Sequence, residues 1–369
     1  MARLDLIPHI LRWHDSLASY TPVLSSIPFM PGKARARTCR IYIKSKIDQK
    51  GRDAIAKFIN NLPSKALEYP QVVSNVTDEL YQEFSYEELC EGIIPRIAGR
   101  IENIRSLSES QKLYIYLMLG AHQHARRYLD NLPVLRKPDF IIAGAQKAGT
   151  TWLMDALSNH PDIWGTPTEL HYFTSNRRRW TWEEYLALFS LSGSRLNGEK
   201  SVTYLQVIDE VVNKLPGTKV FVILRDPFDR IVSQYFHDIR NHRFRDRNGI
   251  KNIKDYIERN IGDCRERGLY YSNIRNSLSR INILFYQEIS DNPVALLKIV
   301  LMALGLRDVD PTDLIPKRRI NKSDNKPKIS YKEFLKSAGL AQTLKEYYYD
   351  DISKLSQVTG KDLSSWMDW

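Results

Sequence analysis

Hydrophobic and polar positions change their rhythm near residue 135. Before it, apolar residues recur at helical spacing; between Glu109 and Leu129 they fall at 113, 117, 118, 121, 125 and 128, one face of a 3.6-residue repeat. No alternating run of β-branched residues stands out in this part. The segment Asn131-Leu-Pro-Val-Leu-Arg-Lys-Pro138 then interrupts the pattern with two prolines and reads as a linker. Beyond it come short apolar runs closed by turn residues: Asp139 to Ala143, Lys219 to Leu224 and Ile281 to Tyr286. Each has the length and composition of a buried strand. Helical patterns at Thr150–Ser158, Asp209–Leu215 and Pro227–Arg240 lie between them, and Tyr331–Trp369 is helical again. Strands alternating with helices predict a parallel sheet with right-handed crossovers. In such sheets ligands gather at the carboxyl ends of the strands.

Composition narrows the class. Of 369 residues, 43% are hydrophobic and 26% charged, which allows a core and excludes a disordered chain. The 54 Lys and Arg outnumber the 43 Asp and Glu, for a net charge of +11, so an anionic partner is expected. The surplus is uneven. Residues 31–65 hold ten basic residues and two acids, while 66–95 hold seven acids and no base. Two oppositely charged faces of a helical region account for that pattern. Without interleaved aromatics or a known motif, no nucleic-acid partner is expected. Later basic clusters at Arg177–Arg179, Arg240–Lys251 and Lys317–Lys328 fall between periodic segments, where loops around a cleft collect anions. Cys39, Cys90 and Cys264 form no CxxC pair, which argues against a zinc site or a disulfide framework and fits a reducing compartment. The longest apolar stretch, Leu113–Ala121, is about half of what a membrane span needs. The first 30 residues hold no uninterrupted apolar targeting run. No transmembrane segment and a cytoplasmic location are therefore expected.

The first strand runs into Gly144-Ala-Gln-Lys-Ala-Gly-Thr-Thr151, followed by Trp152-Leu-Met-Asp-Ala-Leu. Two glycines five apart between a strand and a helix allow a nest of backbone N–H donors at a helix N-terminus. The pattern approaches G-x-x-x-x-G-K-[ST], the phosphate loop. The lysine is displaced, however: Lys147 holds the fourth position and Thr150 the seventh. That displacement argues against magnesium-ATP chemistry, in which lysine and hydroxyl serve the β/γ-phosphates and the metal. The second strand ends in Arg225, and Asp226-Pro227-Phe-Asp229 opens a helix with an N-cap, a proline at N1 and an acid at N3. Arg225 and Ser233, two turns along that helix, can converge on a second phosphate. Together the two motifs describe a nucleotide phosphorylated at both ends. The fold class predicted is α/β, a P-loop-like parallel sheet flanked by helices over 138–369, preceded by a mainly helical N-terminal domain over 1–137.

On these motifs the sequence resembles the sulfotransferases that use 3′-phosphoadenosine 5′-phosphosulfate (PAPS). It is closer to the heparan-sulfate type and its bacterial relatives than to the cytosolic hormone type. The resemblance covers about 138–369 and leaves 1–137 without a counterpart. It implies that Lys147, Gly149, Thr150, Thr151 and Trp152 grip the 5′-phosphosulfate, and that Arg225 and Ser233 hold the 3′-phosphate. The stretch Gly268-Leu-Tyr270-Tyr-Ser-Asn-Ile-Arg275, with Ile283 to Glu288, is similar to the family's later nucleotide-binding segment. Leu344–Trp369 resembles the family's C-terminal end.

The same resemblance points to Thr166-Pro-Thr-Glu169-Leu-His171-Tyr-Phe173 for the base. In an extended segment Glu169 and His171 face one side. Glu169 is expected as general base, with His171 orienting it or facing the substrate; the reverse assignment stays open. Lys147 would neutralise the bridging oxygen, and Lys200, in Gly198-Glu-Lys-Ser-Val-Thr-Tyr204, would help position donor and acceptor. No metal is required. The expected partner is a hydroxyl-bearing acceptor, with an anionic saccharide favoured over lipid, natural product or protein by the basic loops. Two other classes stay open: a P-loop nucleotide kinase or NTPase, and a non-catalytic polyanion-binding module. Homo-oligomerisation, covering the acceptor cleft and docking a partner all stay open as roles for residues 1–137.

Overall fold

A computed structural model describes residues 89–369, apart from 131, 133, 167, 175–179, 194, 241–251 and 317–328. The chain divides into two compact units. One runs to Leu135 and takes in Arg179–Leu191; the other holds Arg136–Arg178 and Ser192–Trp369.

The described part of the first unit is helical. Its helices are Ile94–Glu102, Glu109–Leu119, His122–Leu129 and, from the later segment, Trp182–Ser190. The single apolar repeat read across 109–129 is thus two helices. Gly120 stops the first in the left-handed region, at φ 71°, with its N–H on Leu117 O, an ordinary glycine C-terminus. Two residues, Gly120 and Ala121, separate the helices, and because Ala121 and Ala125 are buried like Leu113, Leu117 and Met118, the apolar spacing runs across the break and conceals it. Reciprocal capping boxes start two of these helices, Ser108 with Gln111 and Thr181 with Glu184. The later segment is tied in by polar bonds: the Trp180 indole donates to Leu117 O, and His122 Nδ1 meets Glu184 Oε1 at 2.6 Å.

The second unit is a five-stranded parallel sheet, β1 (Phe140–Gly144), β2 (Ile163–Gly165), β3 (Leu196–Lys200), β4 (Lys219–Leu224) and β5 (Ile281–Phe285), in the order β2-β3-β1-β4-β5. Every residue of β1 is buried, and so is β4 from Val220 onward. That explains their continuous apolar runs. From β1 the chain crosses to one side, reaching β2 and then β3. From β4 it crosses to the other side, reaching β5. The crevice where the connections diverge therefore opens at the carboxyl ends of β1 and β4, the position at which such sheets bind ligands.

Helices Thr150–Leu157, Ile208–Lys214 and Pro227–Arg240 follow β1, β3 and β4. Beyond β5, the predicted helical tail is three helices, Tyr331–Ser337, Ala341–Thr359 and Ser364–Met367. Asp351, buried on the longest, accepts the Tyr271 and Ser272 N–H groups at 2.9 and 2.8 Å and so pins the start of the helix Tyr270–Ile274.

Candidate active site

Polar groups gather at both edges of β1. At the β4 edge, the loop after β1 turns through Lys147 at φ 68° and Gly149 at φ 90°. A Cβ on Gly149 would stand 2.6 Å from Ile289 Cδ1 and 3.1 Å from Tyr286 Cδ2, so glycine alone lets the loop run this close. Gly149 is also the N-cap of Thr150–Leu157 and supplies no side-chain cap. The first-turn N–H groups there, with the helix dipole behind them, suit an anion. Thr150 is buried, while Lys147, Thr151 and Trp152 are half-buried.

Arg225 reaches back from β4 onto this loop. Its Nη1 donates to Lys147 O at 3.0 Å and its Nη2 to Asp229 Oδ2 at 3.3 Å. The guanidinium lies 4.5 Å from the Tyr286 ring centroid and 5.9 Å from that of Tyr331. Its Nε is buried with no hydrogen-bond partner. Fully buried Tyr270 donates its hydroxyl to Arg225 O at 2.8 Å, so it supports the strand end from behind. Burial pushes that hydroxyl's pKa up. Arg267 closes the loop's other side, donating to Gln146 Oε1 at 2.9 Å, and its Nε too is buried without a partner. Ser233 is half-buried on the helix after β4, and no hydrogen bond joins it to Arg225.

At the β3 edge, Lys200 ends the strand and bonds to Glu169 Oε1, with Thr151 Oγ1 at 3.3 Å. Glu169 Oε2 accepts the Val202 N–H at 3.3 Å and faces His171 Nε2 at 3.3 Å. Burial pushes the Glu169 carboxyl up, but the Lys200 ammonium and then His171 outweigh it, and the group is held below the usual carboxylate range. Nδ1 of His171 meets Thr203 Oγ1 at 2.8 Å, and Thr203 meets Thr174 Oγ1 at 2.8 Å.

One expectation needs correction. Glu169 and His171 do not lie on an extended strand, since β2 ends at Gly165 and His171 has a left-handed backbone, φ 53°. They meet because the chain turns back at His171, which aims its ring at the carboxylate two residues earlier. The structure thus brings Lys147 and Arg225 together on one edge, and Glu169, His171, Lys200 and Thr151 on the other. Local reading missed Arg267, 121 positions from its partner Gln146, and Thr203, whose hydroxyl has no sequence signature. Among the described residues, no group of three or more His, Cys, Asp and Glu could hold a metal ion, and no helix is long and apolar enough to cross a membrane. Arg177–Arg179 and the clusters at 241–251 and 317–328 lie outside the described residues.

Residues 137–346 match the family model of the sulfotransferase domain. Among similar proteins is the membrane-associated sulfotransferase kil1 of Dictyostelium discoideum, 33% identical over 110 residues, covering 28% of this chain and 23% of that protein. Heparan sulfate glucosamine 3-O-sulfotransferase 6 of Mus musculus is 31% identical over 125 residues, covering 31% of this chain and 36% of the relative. The matched segment thus spans only about a quarter to a third of these relatives' lengths. A sulfotransferase of Alicyclobacillus acidocaldarius shares the fold, with a TM-score of 0.50 at 23% identity over 63% of this chain and 99% of that one. Since the match takes in more than half of the chain, including the sheet and both edges of β1, the chain belongs to the sulfotransferase domain family.

Proposed function

We propose that the chain transfers the sulfuryl group of PAPS to an acceptor hydroxyl and releases 3′,5′-ADP. The observation that carries this reading is the Arg225 bond to Lys147 O at 3.0 Å. It sets two phosphate-type motifs side by side at the switch point, with the buried Nε of Arg225 still unpaired. A guanidinium with an unspent donor, flanked by an uncapped helix N-terminus, fits a nucleotide phosphorylated at both ends.

Bound PAPS supplies the sulfuryl group and a phosphate leaving group. The loop N–H groups, Lys147 and the Thr150–Trp152 turn hold the phosphosulfate end. Arg225 and Ser233 hold the 3′-phosphate, and Tyr270 steadies Arg225 through its carbonyl. Glu169 takes the proton of the acceptor hydroxyl. Its lowered pKa keeps it ionised at neutral pH and ready to accept. A positioned base of this kind contributes about 10²–10⁴-fold. Lys147 neutralises the charge that develops on the leaving oxygen, and Lys200, bonded to both Thr151 and Glu169, helps position donor and acceptor. His171 orients Glu169 and shares its proton. The name of the mouse relative supports a saccharide as acceptor class.

Thermal stability with 3′,5′-ADP, against ATP plus magnesium, tests the donor. Saturation at 100 times Kd adds about 2.7 kcal/mol to the folded state. Stabilisation by ATP alone would overturn the reading in favour of a kinase or NTPase. Salt-sensitive polyanion binding with no nucleotide preference would overturn it in favour of a binding module. Transfer of labelled sulfuryl to heparan-type saccharides, compared with lipid and simple alcohols, tests the acceptor.

A further inference from the structure

We infer that Glu199 is a positioning residue: a buried carboxylate that, through the hydroxyls of Ser201 and Tyr204, fixes the backbone of His171 and Tyr172 and so the aim of the Glu169–His171 pair. The inference deepens the proposed transfer reaction and rests on it. Glu199 is fully buried in β3, one residue before Lys200. Successive strand residues face opposite sides, so it lies behind the site that Lys200 faces.

Its two oxygens are spent on two hydroxyls, Oε2 on Ser201 Oγ at 2.8 Å and Oε1 on Tyr204 OH at 3.1 Å. Each hydroxyl is in turn the acceptor for a neighbouring backbone amide. Ser201 Oγ takes the His171 N–H at 3.0 Å, and Tyr204 OH takes the Tyr172 N–H at 2.8 Å. The directions follow from the chemistry. An ionised carboxylate only accepts, so both hydroxyls must donate to it and keep their lone pairs for the amides. One buried charge thereby orders two consecutive N–H anchors.

Those anchors fall where the backbone needs them. His171 occupies the left-handed region at φ 53°, which a side-chain-bearing residue keeps only when its surroundings overdetermine it. The turn at this residue is what brings Nε2 to 3.3 Å from Glu169 Oε2. The imidazole is held from its other side by Thr203. Burial first, then Glu199, pushes the Tyr204 hydroxyl pKa up.

Glu199→Gln keeps the shape but places an NH₂ donor against one hydroxyl. That hydroxyl can still accept from the amide, but its own hydrogen must turn away from position 199, so a buried donor is left unpaired and the amide's anchor is no longer fixed in direction. Hydrogen exchange on the full chain should then quicken in peptides covering 169–174 and stay slow in β1 and β4. kcat should fall about 100-fold, the scale of an ångström misplacement, with 3′,5′-ADP affinity unchanged. Ser201→Ala, which leaves Glu199 and Tyr204 in place, should act alike and supplies the test if Glu199→Gln does not fold. In a His171→Ala background, Ser201→Ala should add little further loss, because it acts through His171.

Unchanged exchange at 169–174, or exchange quickened throughout the sheet, overturns the inference. So does an unchanged kcat in Glu199→Gln, or a Ser201→Ala loss that persists in full without His171. If the wild-type chain neither binds 3′,5′-ADP nor transfers sulfuryl, the transfer reading fails and the exchange data alone decide whether Glu199 holds the turn.

Discussion

On its β4 edge, β1 meets an arginine whose Nε is buried without a partner, beside a helix start with no side-chain cap. On its β3 edge it meets a carboxylate engaged by both an ammonium and an imidazole. The contrast has a physical basis. A site that holds an anion must keep donors unspent, since a buried donor without an acceptor is costly and a ligand relieves that cost. A site that moves a proton needs groups whose charges already balance, so that one proton can shift without leaving a bare charge in the interior. Two strands that differ little in length and direction thus carry opposite electrostatic states.

The sharpest way to break this division exchanges the two defects. Glu169→Gln should lower kcat by about 10²–10⁴-fold and leave 3′,5′-ADP binding intact. Arg225→Ala should do the reverse, costing about 2–5 kcal/mol of 3′,5′-ADP affinity, as for a truncated buried charge contact. Calorimetric titration and initial rates on the same two proteins decide it. If Glu169→Gln weakens binding as much as Arg225→Ala does, the edges do not divide binding from proton transfer.

The same contrast governs what could be read from sequence. β1, β4 and β5 announce themselves because strands buried on both faces are unbroken apolar runs. β3 is the opposite: Leu196-Asn-Gly-Glu-Lys200 has three polar residues and a glycine, yet its centre is buried. Gly198 is there because the Phe140 ring of β1 lies where its Cβ would be, at 2.5 Å, and Glu199 because two hydroxyls neutralise its burial. Neither reason is visible without the neighbouring strand. β2 has only three residues and offers no pattern at all. In the site, the loop and Arg225 were legible because each is a local motif at a strand end. Arg267 and Thr203 became site residues only through contacts that folding creates.

Acid titration should move the two edges in opposite directions. Glu169 is held below the usual range, so the stability it contributes is present above that range and is lost as pH falls through its folded pKa. Asp226, which caps the helix after β4 through Phe228 N at 2.9 Å, is pushed up to about 6 by burial, against the pull of Lys332 at 3.0 Å. Its contribution is therefore full below the ordinary carboxylate range and is lost as pH rises from about 4 through about 6. A shift from 3.8 to about 6 corresponds to about 3 kcal/mol. Denaturant melts of wild type and Asp226→Asn should show a stability difference that declines by roughly that amount between about pH 4 and about pH 7. A flat difference would mean Asp226 is ionised throughout, with Lys332 outweighing burial.

The smallest effect tests whether the β4 edge depends on close approach or only on backbone conformation. Gly149→Ala combines a left-handed φ of 90° with a Cβ 2.6 Å from Ile289 Cδ1 and 3.1 Å from Tyr286 Cδ2. Gly217 provides the control, with φ 89° and nothing within 4 Å of a Cβ, in the turn before β4. Backbone strain of this kind costs about 1–3 kcal/mol, and Gly217→Ala should show that loss alone. Gly149→Ala should lose more, because Ile289 and Tyr286 must also yield, and it should weaken 3′,5′-ADP binding, since Tyr286 carries the Arg225 guanidinium on its ring. Equal losses of stability in the two variants, with nucleotide affinity unchanged in both, would show that the tight seating of the loop against Tyr286 and Ile289 contributes nothing to the anion site.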